Sequence, residues 1–218
     1  MKIIAAIFML IDHIGVLFYP NQPLWRLLGR IAMPLFAYGV ASGFAHTSSF
    51  NKYIKRMAVF AIISQLPFLW MFELAFGKTF ALNIGFTFLI ALGCLWLIKN
   101  AEQQAQSIKM GNYVMVSLLL ILAEVLHCDY GIYGIGVVYI FYQYGVKREN
   151  QSVAYVLFSL FTLVYSLMYG NLLQIYAILA IVFIMLVKNI NFRGLRYFFY
   201  IFYPLHMLIL VLIKILIS

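Results

Sequence analysis

The chain has 218 residues, of which 66% are hydrophobic and only 10% charged, and it carries a formal net charge of +9. A soluble domain of this size has ~25% charged residues, so a water-soluble core is excluded and one membrane-embedded domain over residues 1–218 is expected. The positive charge calls for no nucleic-acid partner, because basic loops facing anionic lipid headgroups account for it.

A membrane helix needs about 20 mostly apolar residues. Nine such stretches follow one another: 3–19, 24–45, 53–73, 79–98, 113–128, 131–146, 152–169, 172–188 and 195–217. The expected fold is therefore an all-α polytopic bundle of about nine transmembrane helices. Lys2 followed by Ile3–Leu10 has the outline of a signal peptide. Asp12 and His13 interrupt that run and no small-x-small cleavage site follows, so the stretch is read as a retained first helix. The fifth and sixth stretches are short and meet at Asp129-Tyr130-Gly131.

Basic residues set orientation. With the N-terminus in the cytoplasm, Lys2, Lys52, Lys55, Arg56, Lys99, Lys109, Lys147, Arg148, Lys188, Arg193 and Arg196 lie inside and only Lys78 and Lys214 outside; Arg26 and Arg30 fall within the second stretch. Gly39-x-x-x-Gly43 in that stretch reads as a close helix-packing face. Cys94 and Cys128 have neither metal nor disulfide spacing and read as small apolar residues.

Ionisable groups inside a bilayer are costly and mark functional sites. His13 lies 11 residues beyond Lys2, roughly 16 Å along a helix, near mid-bilayer. His206 lies 10 residues beyond Arg196, about 15 Å along a helix running the same way, so the two imidazoles are expected at similar depth. Tyr200, Tyr203 and His206 share a stripe at i, i+3, i+6. Asp12 adjoins His13 but points ~100° around the helix. Arg30, Asn83 and Gln65 add polar groups in the middle and outer half, where Arg30 is expected to neutralise Asp12 and Arg26 to snorkel to the interface. Glu124-x-x-His127 has one-face spacing without a second ligand motif, so no metal is expected.

Five segments carry a resemblance. They are Ile11-Asp12-His13, Gly29-Arg30-Ile31-Ala32-Met33-Pro34-Leu35-Phe36-Ala37, Asn83-Ile84-Gly85-Phe86, Tyr130-Gly131-Ile132-Tyr133-Gly134 and Phe202-Tyr203-Pro204-Leu205-His206. In this order, over nearly the whole chain, they resemble the TraX family of integral membrane acetyltransferases, whose named activity is N-terminal acetylation of conjugative pilin. A weaker similarity reaches the membrane acyltransferases that modify envelope sugars: a basic residue, ten spacers and a histidine (Lys2 to His13), and Ser42-Gly43-Phe44. That group often has Arg-x-x-Arg on a cytoplasmic loop. This chain has Arg26-x-x-x-Arg30 on the other side instead.

The resemblance implies a multi-pass protein of the bacterial inner membrane that moves an acetyl group from cytosolic acetyl-coenzyme A to an acceptor at the outer face. The acceptor would be a pilin or peptide amine or an envelope sugar hydroxyl. In that scheme His13 is the base or acyl acceptor and His206 a second candidate base. Asp12 orients an imidazole; Arg30, Asn83 or Tyr203 donates to the developing oxyanion. Lys2, Lys55 and Arg56 meet the coenzyme phosphates. The rival reading is a proton-coupled transporter or flippase using His13, His206 and Asp12, although no inverted repeat is visible.

Overall fold

The computed structural model describes residues 1–77, 80–102, 105–187 and 198–217. In lipid every backbone N–H and C=O must find its partner within the segment, which leaves helices as the economical form for an apolar run. The chain accordingly forms α1 (Lys2–Phe18), α2 (Pro23–Gly29), α3 (Ala32–His46), α4 (Phe50–Phe76), α5 (Ile84–Ala101), α6 (Gln106–Val125), α7 (Gly131–Ile140), α8 (Gln151–Met168), α9 (Ala180–Val187) and α10 (Phe198–Ile217). A π-helical turn, Phe141–Val146, extends α7, and a 3-10 stretch, Leu172–Leu179, leads into α9. No strand occurs among the described residues; Leu82 and Cys128 form an isolated bridge.

Six of these rods are long and apolar enough to cross a membrane by themselves, counting α2 and α3 as one. The other three predicted spans appear as shorter rods: α1, α7 with its π turn, and the 3-10 stretch with α9. The protein is an integral, multi-pass membrane protein of all-α architecture. The fourth span begins later than its apolar run because Asn83 caps it, its side chain accepting from the Gly85 N–H. Lys78, Lys188, Arg193 and Arg196, all used in the charge argument, lie outside the described residues.

The α2–α3 break has a local cause. Pro34 has no N–H for the carbonyl of Arg30, four residues back, and its ring crowds that carbonyl. The helix tightens there, the N–H of Arg30 reaching Leu27 O and that of Ile31 reaching Leu28 O. The proline thus sets Arg30 at a bend rather than on a straight helix face. Within the bundle α3 is the central rod, packed against α1, α5 and α7 and touched by the π turn and α9. Two-thirds of the α2–α3 span is buried within the protein, against 6% of α6.

Among the described residues, several basic side chains meet at one end of the bundle. Lys2 and Arg56 line one cavity there with His46. Lys147 pairs with Glu102 at 2.6 Å and links the ends of α5 and the π turn. At the opposite end the α6–α7 turn is pinned to the segment before α5: Leu82 N–H donates to His127 O, Asp129 N–H to Leu82 O, and the Thr87 hydroxyl to Asp129 O. The chain then reverses through Tyr130 (φ 62°) and Gly131 (φ 39°). Glu124 Oε1 caps α7 by accepting from Ile132 N–H at 2.7 Å. A Cβ at residue 131 would stand 2.2 Å from that oxygen, so glycine is required there by both backbone and space.

Candidate active site

His13 and His206, 193 positions apart in the chain, meet in the core of the bundle. His13 Nδ1 lies 2.7 Å from His206 Nε2, and both residues are buried. The ring planes differ by 5° with centroids 4.9 Å apart. With two nitrogens at hydrogen-bond length, these values describe rings edge to edge in a common plane. The centroid separation is the hydrogen bond plus the two ring radii.

The hydrogens follow from the next contact. His206 Nδ1 lies 2.7 Å from the Phe202 carbonyl. A carbonyl only accepts, so Nδ1 carries the hydrogen and, in the neutral ring, Nε2 carries the lone pair. That lone pair takes the hydrogen of His13 Nδ1. His13 Nε2 is left as the free lone pair of the pair, with its tautomer fixed by His206 and, through it, by Phe202.

His13 lines a cavity of about 90 Å³ together with Asp12, Arg30, Asp129, Tyr130 and Tyr203. Tyr203 is 2% exposed and sets its ring across His13, centroids 6.3 Å apart at 63°. Successive residues of α1 part ways, as the 100° helical step requires: His13 turns to α10 and Asp12 to α2. Asp12 Oδ2 pairs with Arg26 at 2.9 Å, and no partner of Oδ1 is found among the described residues. The carboxylate occupies the space a Cβ on Gly29 would take, 2.1 Å from Oδ1. Gly29→Ala is therefore expected to destabilise the protein by about 1–3 kcal/mol through overpacking, read as a lower thermal midpoint in detergent. An unchanged midpoint would show that Asp12 is not seated there.

The ion pair is thus Asp12–Arg26, not Asp12–Arg30. Arg30 reaches the other way, donating to Tyr130 Oη at 3.4 Å and Gln174 Oε1 at 3.3 Å. Its Nε and the Gln174 Nε2 have no partner among the described residues. Asp129 sits in the α6–α7 turn outside the spans, where burial pushes its carboxyl up to about 6 against the pull of Arg30. Asp12 and Asp129 thus face Arg26 and Arg30 around the cavity.

Asn83 is occupied elsewhere. Its side-chain N–H₂ donates to Ala61 O and to Gln65 Oε1, both at 2.8 Å, and Gln65 Nε2 donates to Ala81 O at 2.8 Å. These bonds clamp α4 to the start of α5, and Asn83 does not line the cavity. Lys2 and Arg56 line a second cavity at the basic end, whereas Lys55 is exposed on α4 outside it. Sequence reasoning gave no role to Asp129, Tyr130 or Gln174. A glutamine inside the apolar run Leu172–Leu179, 1% exposed, was the available signal.

Comparison with known proteins adds to this geometry. A family model described as "TraX protein" matches residues 1–214. A probable fimbrial assembly protein FimC of Dichelobacter nodosus is 28% identical over 167 residues, covering 72% of this chain and 66% of the relative. An uncharacterized protein of Rickettsia prowazekii (strain Madrid E) is 38% identical over 66 residues, 30% of this chain and 25% of its own length. The chain therefore spans less than two-thirds of either relative. No solved structure matches.

Proposed function

The chain belongs to the TraX family, and on that premise we propose that it transfers an acetyl group from acetyl-coenzyme A, taken up at the basic end, to an acceptor entering the opposite end. The observation that carries this reading is the in-line contact of His13 Nδ1 with His206 Nε2, anchored on Phe202 O. It leaves one oriented basic nitrogen, His13 Nε2, on a residue that lines a cavity with cationic and phenolic donors.

In the proposed step an acceptor N–H or O–H gives its proton to His13 Nε2 as its nitrogen or oxygen attacks the thioester carbonyl. Arg30 and Tyr203 face the oxyanion. The C–S bond then breaks, and the leaving thiolate takes the proton back from His13. The products are the acetylated acceptor and the free thiol, with the histidine regenerated. His206 is a positioning residue: it holds the reactive tautomer, as a carboxylate does for the histidine of a serine hydrolase.

One relative is named for fimbrial assembly. That name favours a pilin or peptide amine over an envelope sugar hydroxyl. A cytoplasmic N-terminus, as read from the positive-inside distribution, would put the basic end where the soluble donor is.

Proteoliposomes holding the purified chain test the proposal. Free coenzyme A should appear from acetyl-coenzyme A only when an amine-bearing pilin peptide is supplied on the opposite side. Solute or proton movement without thiol release would contradict it in favour of the transporter reading.

A further inference from the structure

Asp129 has no part in the transfer step, yet the α6–α7 turn is built around it. Its N–H donates to Leu82 O at 2.8 Å, and its carbonyl accepts from the Thr87 hydroxyl. The chain passes through positive φ at His127 (49°) just before it and at Tyr130 (62°) and Gly131 (39°) just after. Residues other than glycine rarely adopt such a backbone, so its repetition here marks a position that the turn holds in place. Asp129 lines the cavity that His13 lines. It is also only half-buried and stands two residues from the exposed His127. One residue thus borders both the cavity and the open end of the bundle.

The charged and titratable groups around Asp129 come from every side. They are Asp12 and His13 of α1, Arg26 and Arg30 of α2 and its end, Glu124 and Cys128 of α6 and the turn, Tyr130 and, from α10, Tyr203. Most are engaged elsewhere. Arg26 pairs with Asp12 at 2.9 Å, Arg30 donates to Tyr130 and Gln174, and Glu124 accepts from Ile132 N–H. Among the described residues no ion pair includes Asp129. Burial is the largest influence on its carboxyl and raises it, Asp12 adds to that, and Arg30 and Arg26 pull the other way. The residue is a carboxyl held against the reaction cavity without a contact cation of its own.

Proton counting gives it a task. A terminal amine, near ~8, is mostly ammonium at neutral pH and has no lone pair with which to attack. Its nitrogen sheds two protons on becoming an amide, whereas a hydroxyl sheds one on becoming an ester. His13 Nε2 has room for one. We propose that Asp129 is the second base of the site and takes the first proton of an ammonium acceptor. An N–H bond of the ammonium breaks as an O–H bond forms on the Asp129 carboxylate. The free amine then attacks the thioester carbonyl and gives its second proton to His13, which passes it to the leaving thiolate. Asp129 keeps its proton through the attack and releases it to water at the open end as the product leaves. The sum is ammonium plus thioester going to amide, thiol and one proton. An ordinary aspartate, near ~3.9, is a poor match for such an amine; burial narrows the gap. The inference rests on the acetyl-transfer reading and adds a residue that an amine acceptor uses and a sugar hydroxyl does not.

The test compares two acceptors on the full chain in nanodiscs, with labelled acetyl-coenzyme A as donor. One is a pilin peptide with its terminal amine. The other is the same peptide ending in an aminooxy group, whose nitrogen is already unprotonated at neutral pH. Asp129→Asn should slow acetylation of the amine peptide about tenfold or more at neutral pH, the scale of a lost base, and should slow the aminooxy peptide far less. The deficit with the amine peptide should close as pH rises past ~8, where the amine is free in solution. An equal loss with both peptides at every pH, or no loss with either, would overturn the inference. Should Asp129→Asn fail to fold, the wild type decides. Its kcat/KM for the amine peptide, divided by that for the aminooxy peptide, should stay level from about pH 8 down to about 6.5. A fall of roughly tenfold or more, in step with the free-amine fraction of a group near ~8, would overturn it. Absence of thiol release by the wild type with either peptide would sink the transfer reading itself.

Discussion

Replacing His13 by alanine is expected to lower acceptor-dependent thiol release by about 10² to 10⁴-fold, the range a positioned general base supplies, with the protein still folded in the membrane. The same loss is expected for His206→Ala, for a different reason. Without His206 Nε2 to accept from His13 Nδ1, the ring is free to carry its hydrogen on Nε2, where no base is then left. The two effects should not add, because each variant disables the same nitrogen. His206→Gln separates this account from a packing role. A glutamine side-chain oxygen can stand close to where the imidazole Nε2 stands and accept from His13 Nδ1, so activity should return in part. His206→Leu fills similar space without an acceptor and should not restore it. Equal activity in the glutamine and leucine variants, assayed with labelled acetyl donor, would show that His206 only packs.

Arg30 is the second large effect. The bend made by Pro34 places it, and Tyr130 and Gln174 hold one end of its guanidinium. Its Nε hydrogen lacks a partner among the described residues. A buried donor with no protein partner is open to a water or to a substrate oxygen. Arg30→Met should reduce kcat by about 10² to 10³-fold, the cost of removing one oxyanion donor, with donor KM little changed. Arg30→Lys should fare little better, because an ammonium cannot bridge Tyr130 and Gln174 and still present a third N–H in the fixed plane of a guanidinium. A rise in donor KM at constant kcat would instead place Arg30 in donor binding.

The fold was legible because membrane insertion imposes a coarse rule, one apolar run for each crossing, and the nine runs reappear as helical rods or helix pairs. The histidine pair was legible for a related reason: depth along a helix follows from a count of residues, and both counts ended near the same plane. What depth cannot give is azimuth between helices. Arg26 and Arg30 lie four residues apart on one apparent face. The Pro34 bend then turns Arg30 toward α7 and leaves Arg26 to Asp12, an outcome of helix packing rather than of sequence spacing. Asn83 illustrates the opposite error. An asparagine at the mouth of a span looks like an oxyanion donor, but its hydrogens are engaged by Ala61 and Gln65. Gly39 and Gly43 share one motif, yet only Gly43 seats a neighbouring helix, through Tyr53.

The tautomer of His13 is where the chemistry is decided. The chain has four histidines, so selective ¹⁵N-histidine labelling of the protein in nanodiscs gives an assignable spectrum. The account predicts that His13 and His206 both carry hydrogen on Nδ1, with a scalar coupling across the hydrogen bond from His13 Nδ1 to His206 Nε2. It also predicts a bare Nε2 on His13 whose shift moves when donor is added. Hydrogen found on His13 Nε2, with no coupling between the two rings, would contradict it.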